Sequence, residues 1–417
     1  MVPSNDAADP APAAAHRESP PPPPSPNGAA AQLTARASAL WRKGHPWFYR
    51  DDLVGAPPAE PSLVRVQDHD GRALGLAFAS PRGKLALRAC GDWDGAVVPD
   101  RGAFFAARIG AAVARRAAFA VDAGVRLVHG ESDDLPGLVV DRYGPVVVIQ
   151  VTAGFVEQAL DAVVPVLAAL PGVEAVVARN DVSVRRLEEL PREVRLLHGR
   201  RVEQVAITEN GVRFTVQPFV GHKTGFYLDQ RPARALVQQL ARGRTVLDLF
   251  SYQGGFALAA LRGGATAALA VDQSAPALEL AQQDAAANGL AGLEVQRANA
   301  FDFLRALRQD GRQFELIVLD PPAFAKSRRE VRAALRGYRD LNRQALRLLA
   351  PGGHLLTCSC SHHATPPLFE ETVRQAAAGL PFKVALEQRL GAGADHPAWL
   401  QLPESEYLKV LLLRRMD

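Results

Sequence analysis

The chain has 417 residues, 48% of them hydrophobic and 22% charged, with a formal net charge of +4. That length predicts two or three domains, and three scattered cysteines exclude a disulfide framework or a zinc module of Cys/His spacing. No apolar run approaches the ~18 residues a membrane helix needs, so the expected compartment is the cytoplasm, and the mild positive excess permits a nucleic-acid partner.

Residues 1–32 read as a disordered tail, because an Ala/Pro-rich composition with a proline run at 20–24 buries no core. The tail lacks the basic start and apolar centre of a signal peptide. Over residues 33–101, short strands at 62–66, 74–78 and 85–88 are punctuated by Gly and Pro, which suits a small β-rich barrel. Trp41, Arg42, Lys43, His45, Trp47, Tyr49 and Arg50 interleave cations with rings. Such a set holds phosphates and stacks bases, or Trp41 and Trp47 simply fill a small core. Residues 102–217 read as an α+β connector: an Ala-rich helix at 103–123, a hairpin of 138–141 and 146–151 turning at Tyr143-Gly144-Pro145, a helix at 156–170 and a strand at 174–179.

From residue 218 onward, strands at 245–250, 267–272, 293–297, 314–320, 353–358, 382–388 and 407–413 alternate with helices, the signature of a largely parallel sheet. The helix at 276–288 has Pro276 near its start and Gly289 just past its end. In an open α/β sheet, ligands sit beyond the carboxyl ends of the strands. There the first strand carries Asp248 and Phe250 and runs through Ser251, Tyr252 and Gln253 into Gly254 and Gly255, where glycine lets the backbone approach a ligand. Asp272 ends the next strand about 20 residues on, suited to a ribose diol. Asn299 follows the third strand, Asp320-Pro321-Pro322 the fourth and Cys358-Ser359-Cys360-Ser361 the fifth. The G-x-G-x-x-G of a dinucleotide enzyme is missing from this turn.

These residues resemble the class I S-adenosylmethionine-dependent methyltransferases. The resemblance implies Asp248 and Gly254 beside the methionine and ribose portions, Asp272 on the ribose hydroxyls and Asn299 at the adenine amino group. Phe250, Tyr252, Ser274, Gln230 and Arg231 are further cofactor candidates. Lys43-Gly44-His45-Pro46-Trp47, Gly130-Glu131-Ser132-Asp133-Asp134-Leu135-Pro136-Gly137 with its continuation to Arg142, Gly221-His222-Lys223-Thr224-Gly225 with its continuation to Arg231, Asp395-His396-Pro397 and Tyr407-Leu408-Lys409 narrow it. Together they resemble the bacterial large-subunit ribosomal RNA methyltransferases that make 5-methylcytosine, from about Leu33 to the C-terminus. The fold so implied is α/β: a Rossmann-like class I methyltransferase sheet at 218–417, preceded by a PUA-like barrel and a central α+β domain. The implied cofactor is S-adenosyl-L-methionine and the implied partner large-subunit (23S) rRNA, with no membrane and no metal. Two residues depart from the pattern: Ala323 stands where Lys is frequent, and Asn299 where Asp is.

Cytosine C5 is a poor nucleophile until a thiolate adds at C6, so the implied chemistry needs a reactive cysteine. Strand alternation puts Cys358 and Cys360 on one face. Cys360 is nearer the crevice and fits the family's Ser-Cys-Ser, whereas Cys358 reads as a core residue. Asp320 is the candidate for the N3/N4 edge of a base that has left its stack. Asp395 and His396 are either the acceptor of the C5 proton or a structural turn. Arg329, Arg332, Arg336, Arg339, Arg343 and Arg347 share a helix face, which is a solvated surface or a phosphate-tracking stripe. Competing expectations are methyl transfer to a guanine nitrogen, which needs no thiol, and a non-catalytic RNA-binding assembly factor.

Overall fold

The computed structural model describes residues 30–93, 98–120, 123–325 and 328–417. The expected tail falls outside this range up to residue 29, but Ala30–Leu33 is a strand, paired in parallel with Ser62–Gln67 and antiparallel with Leu53–Val54. Residues 30–32, read as part of the tail, therefore belong to the first domain, where Ala31 and Leu33 bury in its core. That domain is a six-stranded sheet. Trp41 packs inside it, stacked on Phe48 at 5.4 Å between centroids, so for Trp41 the core reading holds.

The central region is a five-stranded sheet. Its hairpin, Leu138–Tyr143 with Val146–Val151, turns at Gly144, whose φ of +54° is one glycine tolerates without strain. The preceding helix is shorter than its alanine content suggests. It spans Arg101–Arg115 and stops where Arg116 turns inward to chelate Asp133 at 2.6 and 2.7 Å. The freed chain forms the strand Gly124–His129. Phe78 of the first domain packs with Phe104, Phe105 and Phe155 of the second, so one core spans both.

The C-terminal sheet comprises β1 (Thr245–Leu249), β2 (Ala267–Asp272), β3 (Leu293–Arg297), β4 (Phe314–Leu319), β5 (Leu349–Ser359), β6 (Lys383–Leu390) and β7 (Lys409–Met416). Its spatial order is β3-β2-β1-β4-β5-β7-β6; the first five are parallel, and β7 is antiparallel to both neighbours. Both faces are covered, which explains why β1 and β4 place apolar residues on both sides. Leu316 and Val318 face one core with the helices Arg231–Leu240 and Gly255–Arg262. Ile317 and Leu319 face the other, with the helices Ala300–Gln309 and Val331–Arg347. The chain order reverses between β1 and β4, and that switch point opens the crevice where such folds bind ligands. Among the described residues no helix is long and apolar enough to cross a membrane.

Candidate active site

At the switch point lies a cavity of about 380 Å³, lined among others by Tyr227, Asp229, Gln230, Phe250, Tyr252, Asp272, Asp320, Pro321, Pro322 and Cys360. The turn after β1 builds one wall. Phe250 and Tyr252 hold left-handed φ values of +61° and +49°, and Gly254 follows at +70°. Such a conformation costs a non-glycine residue on the order of 1–3 kcal/mol and persists only where its surroundings impose it. Here the Tyr252 N–H donates to Asp272 Oδ2 at 2.9 Å, and its hydroxyl accepts the His222 N–H at 2.9 Å. The His222 ring stacks on Tyr252, centroids 4.3 Å apart.

Asp272 ends β2 in the cavity wall with each oxygen accepting one backbone N–H, from Tyr252 and from Ser274. The carboxylate is thereby aimed, with lone pairs left for a diol. Val271, Ala298, Ala300 and Phe250 form an apolar slot beside it. Asp248 sits fully buried behind the turn, one oxygen accepting the Ala257 N–H at 3.0 Å, and burial pushes its pKa up to about 8.

Several expected cofactor residues lie off the cavity surface. Ser274 and Asn299 cap the helices Ala275–Ala287 and Ala300–Gln309; the Asn299 oxygen accepts the Phe301 N–H at 3.0 Å, so it already has a partner. Gly254 shapes the turn from behind, with a would-be Cβ 3.0 Å from that of Ala281. Arg231 is not brought to the cavity. Its guanidinium reaches the Gly124 carbonyl and Glu209 and lies over the Phe119 ring, tying the central region to the catalytic one.

Across the cavity, Asp320 follows β4. Gln230 donates to its Oδ2 at 2.9 Å, while burial and then Asp229 push its pKa up to about 7. Cys360 follows β5, half-buried, and burial followed by the Asp320 charge pushes its thiol up to about 11. Cys358 is fully buried among Leu356 and Val410 and does not reach the cavity. Asp395 and His396 do not line it either. Asp395 accepts the Arg126 N–H at 3.0 Å, its carbonyl accepts Arg116 Nη2, and His396 packs on His129, so this turn joins two domains.

Asp229 and Lys223 are site residues that the sequence marked only as part of the 221–231 motif. Lys223 donates to Asp229 Oδ2 at 2.9 Å, as does the Tyr407 hydroxyl at 2.8 Å. Burial opposes the Asp229 charge, but Lys223 and His396 hold its pKa well below the carboxylate range.

Buried polar atoms normally find partners. Asp229 Oδ1 and Gln230 Oε1, both on the cavity wall, have none among the described residues, and both are acceptors. The site therefore suits a ligand that brings donors and positive charge.

The model of the S-adenosylmethionine-dependent methyltransferases matches residues 126–413, and that of a PUA-like domain matches residues 31–90. The chain belongs to the S-adenosylmethionine-dependent methyltransferases. Its cofactor is S-adenosylmethionine, whose ammonium and sulfonium are the donors and positive charge that the orphaned acceptors call for. A "Ribosomal RNA large subunit methyltransferase I" from Shewanella denitrificans is 40% identical, over 91% of this chain and 97% of that protein. One of the same name from Photobacterium profundum is 38% identical over 88% and 94%. An S-adenosylmethionine-dependent methyltransferase fold from Streptococcus mutans superposes with a TM-score of 0.78 at 24% identity, covering 92% of this chain and 99% of that one. That likeness establishes the fold: a class I methyltransferase sheet with a PUA-like domain before it, as the sequence led us to expect.

Proposed function

We propose that this enzyme methylates C5 of a cytosine in large-subunit ribosomal RNA, with Cys360 as covalent nucleophile and Asp320 at the edge of the base. The observation that carries the reading is one cavity flanked by both a half-buried cysteine and an acid poised near neutrality, next to the aimed carboxylate of Asp272. Asp272 would hold the ribose diol, the slot beside Phe250 the adenine, and Asp229 and Gln230 the cationic end of the cofactor, with Asp248 holding the glycine turn from behind. Ribosomal RNA as substrate is supported by the relatives' names and by the PUA-like domain.

Bound S-adenosylmethionine supplies an electrophilic methyl group. The protein's part begins with the Cys360 thiolate, whose lone pair forms the S–C6 bond while the C5–C6 π electrons make C5 nucleophilic. Asp320, near its pKa, can donate to N3 as an acid or accept from the N4 amino group as a carboxylate. Once C5 has taken the methyl, loss of the C5 proton re-forms the C5–C6 bond and expels the thiolate. Pro321 and Pro322 stiffen the wall of the base slot.

The test is Cys360→Ser, assayed for methyl transfer to rRNA from cells lacking the protein, with the product located by bisulfite sequencing. The expected outcome is a loss of at least about 10³-fold with S-adenosylmethionine affinity intact. Near wild-type transfer would favour a guanine nitrogen as acceptor.

A further inference from the structure

Lys409 is a buried cation, 5% exposed, without a carboxylate partner among the described residues. Its place follows from strand register: β5 and β7 run antiparallel with Ser359 opposite Lys409, so the lysine flanks the strand end from which Cys360 projects. The Nζ donates to the main-chain carbonyls of Ser361 and Tyr407, each at 2.8 Å. These bonds anchor the ammonium but bring no negative charge. A buried charge lacking a counter-ion is costly, and burial pushes the Lys409 pKa down to about 8, with Cys360 and Glu406 opposing the loss.

We infer that Lys409 is a positioning residue whose anchored ammonium is the counter-ion of the Cys360 thiolate. The inference rests on the reading of Cys360 as nucleophile. Around the thiol, Asp320 and Asp229 disfavour the thiolate, and Lys223 and Lys409 favour it; Tyr227, Tyr338 and the buried Cys358 are further titratable neighbours. Lys223 is half-exposed and already paired with Asp229. The carboxylate that acts on Lys409, Glu406, is exposed and forms no ion pair with it among the described residues. When the S–H bond breaks, the proton leaves to solvent and the sulfur keeps the electron pair that later forms the S–C6 bond.

The experiment follows alkylation of Cys360 by iodoacetamide against pH, a reaction in which the thiolate displaces iodide. Cys90 and Cys358 are buried, so the fast phase belongs to Cys360 and is verified by peptide mass. Lys409→Met should slow alkylation at about pH 7, where the lysine is charged, roughly tenfold, as a one-unit rise in thiol pKa requires. Lys409→Arg should restore it, because guanidinium stays charged. S-adenosylmethionine affinity should be unchanged in both. A Lys409→Met profile that superimposes on the wild type overturns the inference. Should Lys409→Met fail to fold, Lys409→Arg decides: a folded variant alkylated tenfold more slowly than the wild type overturns it too. An unmoved profile beside an inactive Cys360→Ser enzyme refutes the role of Lys409 alone. An active Cys360→Ser enzyme refutes the function instead.

Discussion

Asp320 and Cys360 oppose one another until a base arrives. A carboxylate beside the thiol raises its pKa, and the thiol reaches about 11 partly for this reason. Above its own pKa of about 7 Asp320 is ionised and the opposition is complete; a base that hydrogen-bonds to Asp320 or is protonated by it relieves the thiol at the moment of attack. Asp320→Asn should therefore act in opposite directions on two measurements. Methyl transfer should fall by about 10²–10⁴-fold, while iodoacetamide alkylation of Cys360 at about pH 8.5 should quicken severalfold because the opposing charge is gone. Slower alkylation would mean that the Asp320 charge is not what holds the thiol protonated. Much of this pair was legible in the chain. Acidic and thiol residues at consecutive strand ends, with Cys358 and Cys360 on one face and Cys360 placed nearer the crevice by its later position, needed no coordinates. Asp229 and Lys409 were not legible in the same sense. Their roles depend on partners 6 to 178 residues away for Asp229 and on burial for Lys409, neither of which a local pattern carries.

The turn from Phe250 to Gly254 shows what an element adds to its residues. Three left-handed φ values within five residues bend the chain so that Tyr252 donates to Asp272 and the helix Gly255–Arg262 starts beneath Asp248. Gly254→Ala should lower stability by about 1–2 kcal/mol, the cost of a left-handed alanine, and the would-be Cβ also crowds Ala281. Thermal unfolding should show a drop of a few degrees, and calorimetry a weaker S-adenosylmethionine affinity than the stability loss alone explains. An unchanged affinity would mean the turn does not shape the site. Regular alternation of strand and helix made this sheet readable in advance, from β1 through β7. The hairpin Val205–Glu209 with Val212–Val216 went unread, although Asn210-Gly211, at φ +49° and +76°, is the two-residue turn that hairpins favour. The end of the helix at Arg115 was not readable, because no glycine or proline marks it. A buried ion pair with Asp133 stops the helix, and ion pairs of that kind leave no periodic trace.

At the scale of the molecule, the domains are joined by buried polar groups as well as by apolar cores. Trp47 Nε1 and Arg88 of the first domain both donate to Glu131 of the second. Asp395 and His396 of the catalytic domain meet Arg116, Arg126 and His129 of the central one. The two imidazoles, 5.2 Å apart between centroids, are pushed below the usual histidine range, first by burial and then by the Arg126 guanidinium. A histidine whose folded pKa is depressed binds fewer protons in the native state than in the unfolded one. Its penalty is therefore absent at high pH and grows as pH falls below the unfolded value of about 6.5. His129→Asn keeps an acceptor near Nδ1, which now pairs with Arg126 Nη1 at 3.2 Å, but cannot titrate. Relative to the wild type, this variant should gain thermal stability steadily as pH is lowered from about 7 to 5, a window set by His129 because the comparison cancels His396 and the carboxylates common to both proteins. A difference in Tm that stays flat across that range would show that a neutral His129 imidazole is not what acid disrupts at this interface.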